Sequence, residues 1–181
     1  KKRTTRISEI QQAETYRLIN EAASFILLQG AFLRLAIQQN NGEKIVLAGN
    51  AAFLSKKLSV FLRDCREAVL MGATAGKAIM EAIKEKTHQG DMAAAVVYDA
   101  TASEMTDGCL DWMMDYLNQQ IRRESKTLLP RRFSAGYADF KLENQQTIHE
   151  MLQMVKFGVA ITPESILIPE KSVTAISGIS G

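Results

Sequence analysis

Residues 131–140, with the sequence RRFSAGYADF, bring together side chains that could bind a small ligand. Arg132 carries a planar, permanently charged guanidinium that suits a carboxylate or a phosphate. Gly136 allows a backbone conformation, or a close approach to a ligand, that a side chain would forbid. Tyr137 offers an aromatic face and a hydroxyl. This spacing indicates a site for a ligand with an anionic end and an aromatic end, and the alternative is an ordinary surface turn with an anchoring tyrosine.

A second pattern with chemical potential is a ladder of polar residues within a long predicted helix. Its members follow one another at four-residue steps: Asp99, Ser103, Asp107, Asp111 and Asp115. Side chains at this spacing share one face of a helix, and like charges there are mildly unfavourable. Two interpretations follow from the spacing. The ladder is a solvated acidic stripe, or one of its aspartates faces a cationic ligand.

The elements that must position these residues begin with a helix and a hairpin. Ser8 can cap a helix that starts near Glu9, and Gly30 can end it. Alternating apolar residues predict a strand at 32–37, and residues 44–47 predict a second one. The intervening Asn41-Gly42 is a strong signal for a hairpin turn.

The middle of the chain is predicted to hold two short helices, a buried strand and a long helix. Apolar spacing predicts an amphipathic helix over 54–65, and residues 68–71 form a buried strand. Residues 72–76 form a small-residue turn before the next helix; it could bind an anion, but tight packing is the simpler reason for its composition. The long helix is capped by Asp91 and runs from Met92 to about Arg123. Its predicted apolar side comprises Met105, Cys109, Trp112, Met113 and Tyr116.

The last third of the chain follows Pro130, which ends the long helical run. A helix after residue 140 is predicted to turn four residues inward: Ile148, Met151, Leu152 and Val155. His149 lies off that face and is expected to be solvated. Two β-like runs follow at 165–168 and 172–176, with a turn at 169–171. This order of elements indicates an α+β fold with a mixed or antiparallel sheet, hairpins and several packed helices.

Size and composition bound the class of protein. The 181 residues fit one domain over 1–181, with a helix and hairpin at about 8–48 and a core at about 54–181. A formal net charge of +2 makes no electrostatic case for nucleic acid. No apolar run reaches membrane-spanning length, and no secretory signal is present.

Cys65 and Cys109 fit neither a zinc site nor a disulfide framework, so we expect both to be reduced and buried in a cytoplasmic protein. The chain does not start with Met, so the sequence leaves open whether a leader or a tag preceded it.

Several segments in a fixed order resemble a known family. They span about the last two-thirds of the chain: 69–76, 98–103, 132–137, the helix after it, and 161–173. Together they are similar to the activation domain of cobalamin-dependent methionine synthase, and more closely to the short standalone proteins of that family. In that family the domain binds S-adenosylmethionine.

The resemblance implies roles for individual residues. Arg132 would hold the methionyl carboxylate of the ligand, and Gly136 and Tyr137 would border its nucleoside. Ala135 and Asp139 lie in the same stretch and are expected to contribute to the same cofactor-binding site. No catalytic residue and no metal ligand is implied.

An acidic residue on the preceding helix completes the implied site. This position falls on Asp111, whose carboxylate would pair with the ligand's ammonium or balance its sulfonium. The full-length enzymes use a further upstream aspartate, for which residues 52–57 (AFLSKK) offer no counterpart.

The implied function is reductive reactivation in trans. The chain would present the methyl group of S-adenosylmethionine to cobalamin carried by a methionine synthase, or a related corrinoid methyltransferase, that lacks its own activation domain. A flavodoxin- or ferredoxin-like protein would supply the electron.

A first rival is a non-catalytic interaction or regulatory module that keeps the fold without the ligand site. A second is a nucleic-acid-binding protein that uses the basic residues at 1–6, 122–123 and 131–132, and its binding would depend steeply on salt. Neither nucleic acid nor membrane is expected as a partner.

Overall fold

A computed structural model describes residues 8–181, so the basic start of the chain lies outside the described residues. The described part contains five α-helices: α1 (Glu9–Ser24), α2 (Lys56–Phe61), α3 (Lys77–His88), α4 (Met92–Ile121) and α5 (Asn144–Met151). It contains eight strands: β1 (Gln29–Asn40), β2 (Lys44–Leu47), β3 (Ala52–Leu54), β4 (Glu67–Thr74), β5 (Thr127–Leu128), β6 (Ala160–Ile161), β7 (Leu167–Ile168) and β8 (Ser172–Ser180). Two 3₁₀ turns lie at Arg122–Glu124 and Met154–Phe157.

Six strands form one antiparallel sheet in the order β3-β2-β1-β4-β8-β5. The hairpin predicted at Asn41-Gly42 is confirmed, since β1 and β2 pair across it. β6 and β7 form a separate two-stranded ribbon. The predicted α+β class is therefore confirmed.

Strand β4 is the centre of the sheet and is buried on both faces. Val69 and Met71 point toward α4, whereas Ala68 and Leu70 point toward a second core. The second core lies under α2 and α5 and includes Phe53 and Phe140, whose rings meet edge to face with centroids 5.5 Å apart. The alternation of side chains along a strand explains why a continuous apolar run serves two cores.

The long helix α4 connects the sheet with a helical cluster. Its C-terminal half packs on β4, β5 and β8, and its N-terminal half packs with α1 and α3. Asp91 caps it as predicted, because its carboxylate accepts a hydrogen bond from the Ala94 amide at 3.1 Å. Residues 8–181 contain no helix that is both long and apolar enough to span a bilayer.

The buried face of α4 differs from the predicted apolar side. Met113 is buried as predicted, but Trp112 and Tyr116 are exposed and stack on each other with ring centroids 5.4 Å apart. Small residues such as Ala102 and Thr106 are buried instead. The buried face of α4 therefore lies on a different side of the helix from the one that carries Trp112 and Tyr116.

Two glycine predictions were wrong in the same way. Gly30 does not end α1, which stops at Ser24; it lies inside β1, opposite Ala73. Residues 72–74 likewise belong to β4 rather than to a turn. The packing explanation for the small residues holds for Gly72, since a Cβ there would lie 2.9 Å from the Met154 methyl carbon.

Three predictions about exposure and extent also need correction. The 54–65 helix is shorter, because Leu54 belongs to β3 and α2 ends at Phe61. Val155 is exposed, whereas the neighbouring Met154 takes the inward position. His149 is buried rather than solvated, and its Nε2 lies 2.8 Å from the Val159 carbonyl oxygen, which accepts its hydrogen bond. The tertiary packing of α5 on the following turn, absent from any local pattern, buries this ring.

Candidate functional site

Arg132 lies in a bulge beside strand β8. The Leu129 amide donates to the Gly178 carbonyl at 2.8 Å, and Phe133 exchanges two hydrogen bonds of 2.7 and 2.8 Å with Ile176. Three residues between these contacts therefore face only Ser177, whose hydroxyl donates to the Arg131 carbonyl at 2.9 Å. A bulge re-aims the side chains it carries, and this one directs Arg132 toward α4.

The guanidinium of Arg132 bridges two members of the acidic ladder. One nitrogen pairs with the Asp111 carboxylate, and another lies 3.2 Å from an Asp107 oxygen. The Arg132 side chain is 23% exposed, whereas the two aspartates are 67% and 64% exposed. The ladder thus faces cationic groups of the chain itself, and its carboxylates remain open to solvent.

A second basic residue holds the upper part of the ladder. Lys171 places its ammonium 2.7 Å from an Asp99 oxygen and 2.9 Å from the Ser103 hydroxyl. Lys171 precedes β8, so this contact fixes the start of that strand against α4. The stripe is therefore solvated, as one interpretation predicted, and Asp99, Asp107 and Asp111 also pair with basic residues of the chain itself.

The Gly-Tyr pair forms a tight turn. Gly136 has a φ of +84°, which favours glycine, and its amide donates to the Phe140 carbonyl at 2.8 Å. Tyr137 is exposed, and its ring meets Phe133 edge to face at 5.5 Å. The fully buried Phe140 anchors the turn, and the Tyr137 side chain stays exposed.

Asp139 holds the start of helix α2. Its carboxylate accepts hydrogen bonds from the Ser55 hydroxyl at 2.6 Å and from the Lys56 amide at 2.8 Å. The Ser55 hydroxyl, followed by the backbone amides, lowers the pKa of Asp139. The segment 52–57, which contains no aspartate, thereby receives a carboxylate from the Arg-Gly-Tyr stretch.

A groove runs along the start of β8, between α4 and the stretch around Ala135. It consists of two adjoining cavities of about 260 and 200 Å³, which share Glu170, Ser172 and Val173 as a common wall. Ala135 lines one cavity and Asp107 lines the other. Together the cavities fall in the range of about 300–1,000 Å³ that is typical of small-ligand sites.

A wider cleft lies on the other side of Arg132. It measures about 700 Å³ and is lined by Asp111, Asn118 and Arg132 among others. Arg132 therefore stands between this cleft and the groove. Of the residues that the resemblance singles out, Ala135 lines the groove, and Arg132 and Asp111 line the cleft.

Two polar residues at the groove were not predicted as site residues. Gln145 accepts a hydrogen bond from the Thr174 hydroxyl at 2.9 Å and donates to the Ser165 carbonyl at 2.7 Å. Both Gln145 and Thr174 line the groove. The resemblance pointed toward this wall only through two whole segments, the helix after residue 140 and 161–173, and not through Gln145 or Thr174 individually.

The two cysteines lie outside the groove and the cleft. Burial raises the pKa of the Cys65 and Cys109 thiols, so neither is an activated nucleophile. Cys65 is buried as predicted, but Cys109 is only partly buried. Within residues 8–181 no three His, Cys, Asp or Glu side chains come together in a way that could hold a metal ion.

Comparison with known proteins shows what the fold resembles. No protein-family profile matches the chain, and no curated protein sequence matches it. Among solved structures, a crystal structure of the MetH reactivation domain bound to AdoHcy superposes with a TM-score of 0.70. The chain has the fold of that domain. The match covers 96% of this chain and 67% of the MetH domain chain at 13% sequence identity, so it confirms the fold that the resemblance implied.

Proposed function

We propose that the chain binds S-adenosylmethionine in the groove beside Arg132 and reactivates, in trans, a cobalamin-dependent methionine synthase or a related corrinoid methyltransferase. The observation that carries this proposal is the position of Arg132. A bulge holds its guanidinium against Asp107, which lines the groove, on a fold shared with a domain solved with AdoHcy, S-adenosylhomocysteine, bound.

The ligand's carboxylate would bind Arg132. Its present partners, Asp107 and Asp111, are mostly exposed, and exposed ion pairs are worth only about 0–1 kcal/mol. A ligand carboxylate can therefore share or displace them at small cost. Asp111 would then be available to the ligand's ammonium or sulfonium.

The nucleoside would lie against the stretch around Gly136. The exposed Tyr137 offers a face for stacking, and the positive φ of Gly136 forms the turn that presents it. Ala135 lines the groove next to them. Asp139 contributes indirectly, because its carboxylate ties this stretch to α2.

The contribution to chemistry is position. The partner protein would carry cobalamin, and a flavodoxin- or ferredoxin-like protein would deliver one electron to it. The reduction of cob(II)alamin is unfavourable, and the irreversible methyl transfer that follows would pull it forward. The chain would hold the sulfonium methyl toward the corrinoid, which requires orientation rather than a general base.

Calorimetric titration tests the ligand site. We expect saturable binding of S-adenosylmethionine and S-adenosylhomocysteine, and Arg132→Ala should weaken both by on the order of 2 kcal/mol, or roughly thirtyfold. Arg131→Ala is the matched control, since its backbone carbonyl and not its side chain holds the bulge. Equal losses in the two variants, or no binding at millimolar ligand, would contradict the site.

A reconstitution assay tests the role. The chain is mixed with a methionine synthase that lacks its activation domain, with cob(II)alamin bound, a reductant and S-adenosylmethionine. Methylcobalamin should form only when the chain is present, and Arg132→Ala should slow its formation. If binding is intact but no corrinoid partner is rescued, the ligand site stands and the reactivation role fails.

The observations also favour a second candidate, an interaction module that keeps the fold without the ligand. Arg132 is already neutralised by two carboxylates, and residues 52–57 lack the aspartate of the full-length enzymes. On this alternative, Arg132→Ala would reduce stability and leave no ligand affinity to lose. The titration separates the two candidates.

A further inference from the structure

The outer edge of strand β1 has no pairing strand over residues 29–35, as far as residues 8–181 are concerned. β4 pairs with one side of this stretch, and β2 pairs with the other side only from Ile37 onward. The two strands that end the sheet, β3 and β5, have only three and two residues. An open edge as long as that of β1 is a template for a further strand.

Two hydrogen bonds at the end of this stretch show which backbone groups point outward. The Ile37 amide donates at 2.8 Å to the carbonyl of Arg66, the residue before β4. The Ala36 carbonyl accepts at 2.9 Å from the amide of Ala48, the residue after β2 on the opposite side. Successive residues of an antiparallel strand direct their peptide groups to alternate sides. The odd-numbered residues of the stretch therefore bond to β4, and the even-numbered ones face outward.

The outward-facing residues of the open stretch are Gly30, Phe32 and Arg34. Each offers one N–H and one C=O group at the spacing that a new antiparallel strand requires, and the three lie symmetrically about Phe32. Residues 27–33 carry no charged side chain, and the adjacent Arg34 is already neutralised by Glu67 and Glu124. Soluble proteins normally protect an edge of this kind with free charges, proline or a bulge. This edge has no such protection.

An exposed aromatic cluster lies beside this edge. The exposed Phe32 ring lies 6.3 Å from the ring of Tyr116 on α4, and Tyr116 stacks on the exposed Trp112. A strand added to β1 would pack its side chains against this cluster while its backbone pairs with the edge, which is how strand addition combines affinity with specificity. Aromatic side chains are also enriched at protein interfaces.

The symmetry of the free backbone groups identifies the strand that fits. Because these groups are centred on Phe32, a second copy of β1 related by a two-fold axis meets each of them with its own counterpart. Phe32 then lies opposite Phe32 of the second copy, and Gly30 lies opposite Arg34 in both directions. Like charges directly opposite each other are destabilising, and this register brings none together. The charge pattern of the edge is therefore complementary to itself.

We propose that the chain forms a two-fold symmetric homodimer through antiparallel pairing of β1 with β1 of a second copy. The three residue pairs exchange about six backbone hydrogen bonds, and the two aromatic clusters join around the Phe32 pair. The central sheet then continues from one protomer into its partner. None of Phe32, Trp112 and Tyr116 lines the groove or the cleft beside Arg132, so the dimer is independent of the proposed function.

Sedimentation equilibrium of the intact chain tests the dimer. We expect the mass to rise with concentration from that of the monomer to twice that value, with a dissociation constant on the order of 10–100 μM, as for a small interface. Phe32→Lys removes both rings and places two ammonium groups together at the axis, so it should weaken the dimer by roughly tenfold or more. Phe32 is exposed, so the variant should fold normally.

Leu54→Lys is the matched control, because it changes an exposed apolar residue on β3, the strand at one end of the sheet. It should leave the dimer unchanged. Equal weakening by the two substitutions would overturn the proposal. A chain that stays monomeric at about 500 μM would also overturn it, and the edge would then be left to a strand from another protein.

Amide hydrogen exchange separates this interface from any other. The Ala31 and Leu33 amides bond to β4 and should exchange slowly at every concentration, whereas the Phe32 and Arg34 amides should exchange fast in the monomer and roughly tenfold more slowly in the dimer. A dimer whose Phe32 amide stays fast uses another surface. Slow exchange of that amide in a monomer means that another segment of the same chain covers the edge. Either result would overturn the proposal.

Titration of S-adenosylhomocysteine into Phe32→Lys reports the site at Arg132 separately. We expect the same affinity as in the unchanged chain, because the substituted residue lies outside the groove and the cleft. Failure of the dimer is therefore distinguishable from failure of the ligand site.

Discussion

Two arginines in this molecule each bridge two carboxylates, yet their surroundings differ. Arg34, in β1, pairs with Glu67 and Glu124, and Arg132 pairs with Asp107 and Asp111. The arginine side chains are similarly shielded, at 27% and 23% exposed. The carboxylates are not: Glu67 is only 18% exposed, whereas Asp107 and Asp111 are 64% and 67% exposed.

The Arg34 cluster is a structural clasp. It joins β1, β4 and the 3₁₀ turn after α4, and Lys126 closes it with contacts of 2.6 Å to Glu67 and 2.9 Å to Glu124. A partly buried network of this kind is costly to break because a desolvated charge is left without its partner. The Arg132 cluster has one shielded member and two solvated ones, so its partners can be exchanged. Similar arginine geometry is thus combined with a shielded carboxylate in one region and with solvated carboxylates in the other.

The largest expected effect is the loss of stability in Arg34→Ala. Truncation leaves Glu67 partly buried without its main partner, and we expect unfolding free energy to fall by about 1–2 kcal/mol. Arg132→Ala should cost less because its partners are solvated. Chemical denaturation followed by circular dichroism measures both variants. A larger loss in Arg132→Ala would reverse the comparison.

Acid dependence of stability sharpens the comparison further. Hydrogen bonds from Arg34 and then Lys126 lower the pKa of Glu124 to about 2, and Arg34 also lowers the pKa of Glu67. Because a depressed pKa stabilises the folded state above the unfolded value, this contribution is complete above about pH 4.5 and is lost as pH falls toward 2. The stability difference between wild type and Glu124→Gln should therefore be largest above pH 4.5 and shrink near pH 2. Denaturation series at several pH values measure it, and a difference that stays constant with pH would argue against the clasp.

Local signals predicted those parts of the fold that local chemistry determines. The caps Ser8 and Asp91, the Asn41-Gly42 turn and the buried run at 68–71 all lie where they were expected. Each depends on residues within a few positions of one another. The same holds for the α+β order of elements.

Features that depend on distant contacts were not predictable in this way. Hydrophobicity alone placed Trp112 on the apolar side of α4, but that helix is buried through Leu110 and Leu117, which pack on strands far away in the sequence. His149 is buried because Val159, ten residues on, accepts its hydrogen bond. The spacing of apolar residues along the sequence indicates neither contact.

The candidate site was predicted in pieces. Arg132, Gly136 and Asp111 were singled out separately, but the pairing of Arg132 with Asp111 spans 21 positions and required the fold. Gln145 carried no sequence signal, since an amide at the start of a helix is common on protein surfaces. The geometry adds what residue types alone lack, namely which groups are exposed and exchangeable.

The smallest expected effect is also the most informative about Asp111. Its carboxylate has two opposite influences on a ligand: it competes for Arg132, and it attracts positive charge. S-adenosylmethionine carries a sulfonium that S-adenosylhomocysteine lacks, whereas both ligands share the carboxylate and the ammonium. Competition for Arg132 therefore affects both ligands alike, and only attraction to the sulfonium separates them.

We expect Asp111→Asn to lower the ratio of S-adenosylmethionine to S-adenosylhomocysteine affinity by roughly two- to fivefold, the range for an exposed charge pair. Parallel calorimetric titrations measure the ratio, and Asp115→Asn, the next acidic residue of the ladder, is the matched control. If both affinities rise together while their ratio stays fixed, Asp111 acts only as a restraint on Arg132. In that case Asp111 holds its arginine in place, as Glu67 holds Arg34, and does not bind the ligand. The two arginine clusters would then differ only in how exposed their carboxylates are.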